Sequence, residues 1–406
     1  MKFSLAAITA IVLASATPTT VHAWVATSPA ASAQSPSIAD AKHMFHRTNL
    51  VETKQDPFGG TGLYATGPIT KGETMYRLPE QGIVFADAPE HTLLSECIDF
   101  LTGGADKCGI TESLSIGASL ASWRLLQQQP PQQNHQQQSN MLQDQIKQQV
   151  GISTASEFHA ESLPWEKARW QLPIMWSEEV LDQALNYGID QVVLMTSISQ
   201  HYYQSEHYNA MQQQTQQQQQ QQVEQHAQDI QHACQEAKKR VVNFQVAAAR
   251  LAQELGPPLQ ETHGITATPE DVSLACHQAM ALVFSRTFLH RGEITMLPII
   301  DCANHEAVPN AKLQNDYETS GSMLVAQQDI AQGDEVTISY GLEESGSVLS
   351  FSGYGFIPHG MAEESAAGKA LQLAALKGQE IAKEQLRMQE EQQQQKQQQL
   401  QQQATY

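Results

Sequence analysis

The chain has 406 residues, with 23 Lys and Arg against 43 Asp and Glu, a formal net charge of −20 at pH 7. That balance argues against a protein that holds nucleic acid by neutralising phosphates, which needs a basic face. The one basic run, Lys238-Lys239-Arg240, is too short to supply it. Five scattered cysteines (Cys97, Cys108, Cys234, Cys276, Cys302) contain no C-x-x-C pair, so a disulfide framework or structural zinc site is not expected, and reduced, mostly buried thiols are.

Met1–Ala23 carries Lys2, then an apolar run from Phe3 to Ala14, then Val21-His22-Ala23. This reads as a signal peptide, too short for a membrane anchor. Residues 24–48 are rich in Ser, Ala and Thr, have Lys42 and Arg47, and show no acid before Asp40, the composition of a transit peptide. The pair resembles the bipartite plastid presequences of algae; plain secretion or retention in the endomembrane lumen, with a disordered spacer, is the alternative. No other segment reads as a transmembrane helix.

From Asn49 to Phe85 short strands and turns are expected. Gly59-Gly60-Thr61-Gly62 reads as a turn, Leu63–Thr66 as a strand, Pro68–Glu73 as a turn and Thr74–Leu78 as a half-buried strand. A helical insert over about 90–295 follows. Leu93–Leu126 has helical period, with Leu114, Gly117, Leu120, Ala121 and Leu125 on one face. Ser162-Leu163-Pro164 to Trp176 reads as a loop with three tryptophans, and Ser177-Glu178-Glu179 caps a helix toward Tyr187. Ile189–Leu255 reads as helix ended by Gly256-Pro257, and Thr268–Phe288 as another.

Strands return at Leu297–Ile300, Ala311–Leu313, Met323–Ala326 and Glu335–Ser339, the last after a Gly333-Asp334 turn. Residues 359–406 form an Ala/Gln-rich tail, helical or disordered. Gln tracts at 127–149 and 212–228 lie inside the insert, and a third runs from Gln385 to Gln403. Glutamine has fair helix propensity and needs no core, so these read as solvated surface insertions, with self-association as the functional alternative. Outside the tracts and leader roughly 300 residues remain, enough for one large core or two small ones.

Several tempting signals fail. Gly60-x-Gly62 lacks the third glycine and following helix of a dinucleotide fingerprint, and no Gly-rich loop ends in Gly-Lys-Ser/Thr. His305-Glu306 opens like a zinc-protease motif, but Pro309 stands where the second His is needed. No metal site is expected. Four separated pieces remain: Gly60-Thr61-Gly62-Leu63 with Pro68–Glu73, Phe284-Ser285-Arg286-Thr287-Phe288, Asp301-Cys302-Ala303-Asn304-His305, and Gly333–Gly341 followed by Gly353-Tyr354-Gly355-Phe356.

In this order the four pieces resemble the SET-domain methyltransferases, and more narrowly the branch of the Rubisco large-subunit lysine methyltransferases. The likeness runs from about Asn49 to Pro358, including a Leu163-Pro164…Trp176 stretch in the insert. It implies an α+β SET fold over 49–358: small curved β-sheets, an inserted helical region, and a C-terminal segment threaded pseudoknot-like under a loop. It implies S-adenosylmethionine as cofactor and the lysine side chain of a protein substrate as acceptor.

By the same resemblance Tyr340 is the catalytic residue, and Gly60, Thr61, Gly62, Arg286, Asp301, Asn304, His305 and Phe356 form the cofactor site. Ser285, Phe288 and Tyr354 line the substrate channel. The same machinery acting on histidine, or a non-catalytic SET scaffold carrying Gln tracts, are the alternatives. S-adenosylmethionine is an intracellular metabolite, which favours plastid import over secretion and an organellar protein as substrate. The chain departs from the family after Tyr354-Gly355-Phe356, where Pro358-His359-Gly360 replaces the usual Asn-Pro and no large substrate-binding domain follows.

Overall fold

A computed structural model describes residues 50–55, 61–84, 110–129, 146–147, 152, 154–206, 212–261 and 265–404. The expected signal peptide (1–23), the transit-like segment (24–48), Gly60 and most of the 127–149 tract lie outside the described residues. The chain divides into two compact units. The first comprises residues up to Leu163 with Arg250–Cys276 and Arg286–Tyr340; the second comprises Pro164–Ala249, His277–Ser285 and Gly341 onward.

Among the described residues the first unit carries every strand. Strands β1 (Val51–Gln55), β2 (Thr61–Ala65), β9 (Glu335–Ile338) and β6 (Asn304–His305) form one sheet in the order β1-β2-β9-β6. Strands β3 (Thr74–Leu78), β8 (Gly321–Ala326) and β7 (Ala311–Asp316) form a second, and β4 (Thr287–His290) with β5 (Glu293–Met296) a hairpin. Side chains of β2, β3, β8 and β9 meet in one core that includes Leu63, Met75, Leu78, Leu324, Val336 and Ile338. Strand β9 alternates as a pleated sheet with one buried face demands, whereas β3 buries both Met75 and Tyr76 where its register shifts.

Turns sit where glycine permits positive φ: Gly72 at 88° and Gly333 at 86°. The Pro68–Glu73 turn is also tied by Thr70, whose N–H and hydroxyl both donate to Glu73 Oε2. Two expectations shift here. Thr61 and Gly62 are already in β2, paired with Gln55 and Lys54, because the antiparallel register carries the strand back past the glycines. Leu297–Ile300 is not a strand; the ladder ends at Met296 and a 3-10 turn occupies Ile300–Cys302. Pro298 has no N–H to give a ladder, and Ile299 turns the chain with φ 71°.

Helices α1 (Ile110–Gln127) and α2 (Thr154–Ser162) also belong to the first unit. Expected to bury one face, α1 is buried nearly all round, including Ser113, Ser119 and Ser122. Its small Ser, Ala and Gly residues let neighbours close on every side, as in a core helix.

The second unit is helical: α3 (Trp165–Gln171), α4 (Glu178–Glu206), part of α5 (Gln212–Glu261), part of α6 (Pro269–Arg286), α7 (Leu342–Leu349), α8 (His359–Glu364) and α9 (Ala366–Ala404). The expected tryptophan loop is instead α3 plus a 3-10 turn at Pro173–Met175. Burial of Trp165 and Trp176 gives that short segment the anchoring that local propensity lacks.

Helix α4 runs through Tyr187 and Gly188 without a break, and α5 continues past Gly256-Pro257-Pro258 to Glu261. Proline removes two intrahelical bonds there, but in a last turn whose Leu255 and Leu259 are buried the loss is tolerated. The caps are as expected: Ser177 Oγ accepts the Val180 N–H, and Thr268 with Asp271 forms a reciprocal cap on α6. The tail expected over 359–406 is helical from Ala366 to Ala404, with its Gln-rich end exposed.

Candidate functional site

The site is built where β6 lies parallel to β9, Asn304 opposite Thr337 and His305 opposite Ile338. Beyond β9 the main-chain N–H of Tyr340 donates to His305 Nδ1 at 3.1 Å. That bond needs a lone pair on Nδ1, so the neutral ring carries its proton on Nε2. The Tyr340 hydroxyl donates to the Ala303 carbonyl at 2.8 Å, and the two rings lie 5.3 Å apart, tilted 41°. Two segments far apart in sequence are thus locked by main-chain and side-chain bonds.

A neighbouring bond ties in the first motif. Asn304 Nδ2 donates to Glu335 Oε1 at 2.6 Å. Gly62 sits beside them; a β-carbon there would come within 2.8 Å of the Tyr64 ring and 2.9 Å of Glu335 Oε1. Asn310 holds β9 from its other side, accepting from Thr337 N–H at 2.8 Å and donating to the Glu335 carbonyl at 2.7 Å. Its amide stands in for a strand, satisfying backbone groups that would otherwise be orphaned.

The turn that delivers Asp301 is strained. Ile299, β-branched, has φ 71° and ψ −48°, near the geometry of the rare γ-turn, at a cost on the order of 1–3 kcal/mol. Arg286, at the end of α6, donates from Nη1 to Asp301 Oδ2 at 3.1 Å and to the Asp301 carbonyl at 3.4 Å. Burial opposes the guanidinium charge, but Asp301, then Cys302 and Tyr340, hold its pKa above the ordinary value. Asp301 is thereby committed to Arg286, and Arg286 keeps further donors in its fixed fork.

His159, on α2, reaches the same carboxylate: Nε2 lies 3.4 Å from Asp301 Oδ2, with both side chains 1% exposed. Burial lowers its pKa most strongly, Asp301 raises it and Arg286 lowers it, so the ring is held below its usual value. Neither ring nitrogen makes a hydrogen bond within the described residues, a cost of about 1–3 kcal/mol per buried group. Tyr76 is buried next to the cluster; burial first, then Asp301 and Cys302, raise its phenol pKa.

Of the remaining expected residues, Thr61 is half-buried in β2 and Phe288 is 4% exposed in the sheet core. Three belong to the second unit. Ser285 turns its hydroxyl back to the Leu282 carbonyl at 3.2 Å. Tyr354 and Phe356 make an edge contact with ring centroids 6.1 Å apart, and burial raises the Tyr354 pKa. Gly60 lies outside the described residues. The roles of Glu335, Ala303, Asn310 and His159 were not read from the sequence. Glu335 stood inside a motif that was recognised; His159, in Glu157-Phe158-His159-Ala160, carries no local signal.

The described cysteines, Cys234, Cys276 and Cys302, are free and buried. Burial pushes their thiols up to about 11, about 12 and about 12, with Asp301 adding to the last. Thiolate is the reactive form, so these three are expected to stay unlabelled by iodoacetamide at pH 8 in the folded protein and to react in guanidinium. Mass mapping reads this directly, and rapid native labelling of Cys302 would contradict the packed cluster around Asp301.

A family model for the SET domain matches residues 60–341. SET domain-containing protein 8 of Schizosaccharomyces pombe is 38% identical over 63 residues, 16% of this chain and 14% of that protein. Among solved structures, Rubisco LSMT bound to AdoMet has a TM-score of 0.44 at 17% identity, and the SET domain of LSMT bound to lysine and AdoHcy 0.42 at 17%. Each alignment covers 79% of this chain and 55% of the other. The chain thus spans about half the length of those structural neighbours.

Proposed function

The chain belongs to the SET-domain family, and from that premise we propose that it is an S-adenosylmethionine-dependent protein-lysine N-methyltransferase. The observation that carries this reading is the locked pair of motifs: Tyr340 held through its N–H on His305 and through its hydroxyl on Ala303.

The residues fit the donor. Its carboxylate suits the Arg286 fork, which Asp301 orients but does not exhaust. Its ammonium and adenine need main-chain groups and side-chain amides at close range. Gly62 presents backbone without a side chain, and Thr61 precedes it in the same strand. Asn304 and His305 are the expected contacts near the adenine and amino-acid ends, and Phe356 packs on the adenine. When bound, S-adenosylmethionine supplies an electrophilic methyl group on a cationic sulfur.

The protein's contribution is then alignment. A lysine with pKa about 10.4 must lose a proton at a cost of about 4–5 kcal/mol at pH 7. A dry channel beside a cation lowers that cost. Tyr340 fixes the direction of approach of the amine. Weak C–H···O contacts to fixed oxygens such as the Ala303 carbonyl help hold the methyl.

The acceptor is an organellar protein and the destination the plastid. The support is the composition of residues 1–48 together with the intracellular supply of the donor. The Gln-rich ends of α5 and α9 are surface extensions, with self-association as their alternative role.

The test is calorimetric titration of residues 24–406 with S-adenosylmethionine, followed by transfer of radiolabelled methyl into a plastid extract and amino-acid analysis of the labelled protein. Saturable binding and labelled methyl-lysine are expected. Labelled methyl-histidine would move the enzyme to the sister activity, and absence of binding would leave the non-catalytic scaffold.

A further inference from the structure

We infer that His159 is a positioning residue for the Arg286–Asp301 pair, and so sets the affinity of the site for the carboxylate-bearing end of its ligand. The inference rests on the reading of the site above, and it assigns a part to a residue outside all four motifs.

Three observations carry it. Asp301 Oδ2 receives Arg286 Nη1 at 3.1 Å and faces His159 Nε2 at 3.4 Å, so a single oxygen is approached by both side chains. His159 is wholly enclosed, and neither ring nitrogen has a hydrogen-bond partner among the described residues. A surface histidine would satisfy both in water; this one gives that up to stand against one carboxylate. Finally, the Asp301 backbone hangs from the strained Ile299 turn, so the turn by itself does not favour the conformation in which the carboxylate meets Arg286. His159 against the same oxygen is the further constraint.

The neighbouring groups are consistent with this. On its own helix Glu157 is engaged by Lys147. The adjoining α1 brings only Glu112 and Arg124 as charged residues, and Tyr76 and Cys302 flank Asp301 as neutral groups. The ring lies below its ordinary pKa and faces Asp301 as a neutral group, Nε2 at 3.4 Å from Oδ2. A protonated ring would compete with Arg286 for the same oxygen.

Three variants of the full chain separate this role from simple packing. His159→Gln places an amide nitrogen near the position of Nε2, His159→Asn places one near Nδ1, and His159→Leu places none. Binding of S-adenosylhomocysteine is measured by calorimetry, thermal unfolding without ligand, and methyl transfer for the KM and kcat of the donor. The leucine and asparagine variants are expected to bind about tenfold more weakly, in the range seen when partners that orient a ligand-binding residue are removed. Their KM is expected to rise more than kcat falls, and glutamine to restore most of the affinity. Asp301→Asn is expected to weaken binding comparably, with His159→Leu adding little on top of it.

If the leucine variant does not fold, the glutamine–asparagine contrast decides. Unequal affinities in that order support the role, and equal ones overturn it. Parental affinity in the leucine variant, or a loss of thermal stability in all three with unchanged affinity, would also overturn it. A parent that fails to bind the ligand at all removes the reading of the whole site, whereas a binding parent with indifferent variants removes only His159.

Discussion

Replacing Tyr340 by Phe is expected to lower single-turnover methyl transfer by about 10²–10³-fold, the usual effect of deleting one preorganised polar contact at a reacting centre. Phenylalanine keeps the ring against the sheet core and keeps the main-chain bond to His305 Nδ1 at 3.1 Å. Only the hydroxyl is lost, with its 2.8 Å bond to the Ala303 carbonyl.

That bond contributes about 1 kcal/mol to stability, so the variant stays folded. The lost hydroxyl leaves the Ala303 carbonyl free to shift and, on the proposed function, removes a fixed oxygen from the transfer path. Rate, calorimetric donor affinity and melting temperature are read together. A rate within threefold of the parent would remove Tyr340 from the chemistry, and a collapse of the fold would make its role structural.

In the helical unit a large effect, opposite in sign to helix propensity, is expected at Gly378. In the middle of α9 an alanine ought to stabilise the helix by about 1 kcal/mol on propensity alone. Here the sign reverses. A β-carbon at Gly378 would lie 2.1, 2.3 and 2.8 Å from three carbons of the Trp176 ring.

That ring cannot step aside. Its Nε1 donates to the Trp170 carbonyl at 2.9 Å, and it meets Phe351 edge-on at 6.0 Å between centroids. Gln245 holds the backbone beneath it, donating to the Trp176 and Ile174 carbonyls at 2.8 and 3.1 Å. Overpacking of a pinned core costs about 1–3 kcal/mol.

At roughly 2–4 °C per kcal/mol for a chain of this size, Gly378→Ala should lower the melting temperature by about 2–12 °C. Trp176→Ala costs about 3–5 kcal/mol by itself. Adding Gly378→Ala to it should cost almost nothing, because the clash has gone. A rise in melting temperature for the single alanine variant would show that the helix can draw away from the ring.

The segments legible in the sequence were those whose conformation is set within a few residues. The Gly72 and Gly333 turns, the Thr268-Asp271 cap and the strands Thr74–Leu78 and Glu335–Ile338 needed no distant partner to be read. The segments misread were those decided elsewhere. Leu297–Ile300 has the apolar run of a strand, but Pro298 denies it a ladder and the turn that positions Asp301 takes its place. The three-tryptophan segment is too short to be helical alone and becomes so because Trp165 and Trp176 are buried.

The amino-acid sequence by itself determined which family the chain enters and which residue types are available to the site: a tyrosine after a strand, an Asn-His pair, an arginine closing a helix, a backbone without side chains at Gly62. Each is written in a local pattern. Tertiary structure alone decided how they meet. It turned Asp301 onto Arg286, gave Glu335 to Asn304, bound Tyr340 to both Ala303 and His305, and set His159 against a carboxylate far along the chain. Hydrogen bonds and buried charges act over about 3 Å regardless of separation in sequence, so these partnerships exist only once parallel pairing and burial have brought the segments together.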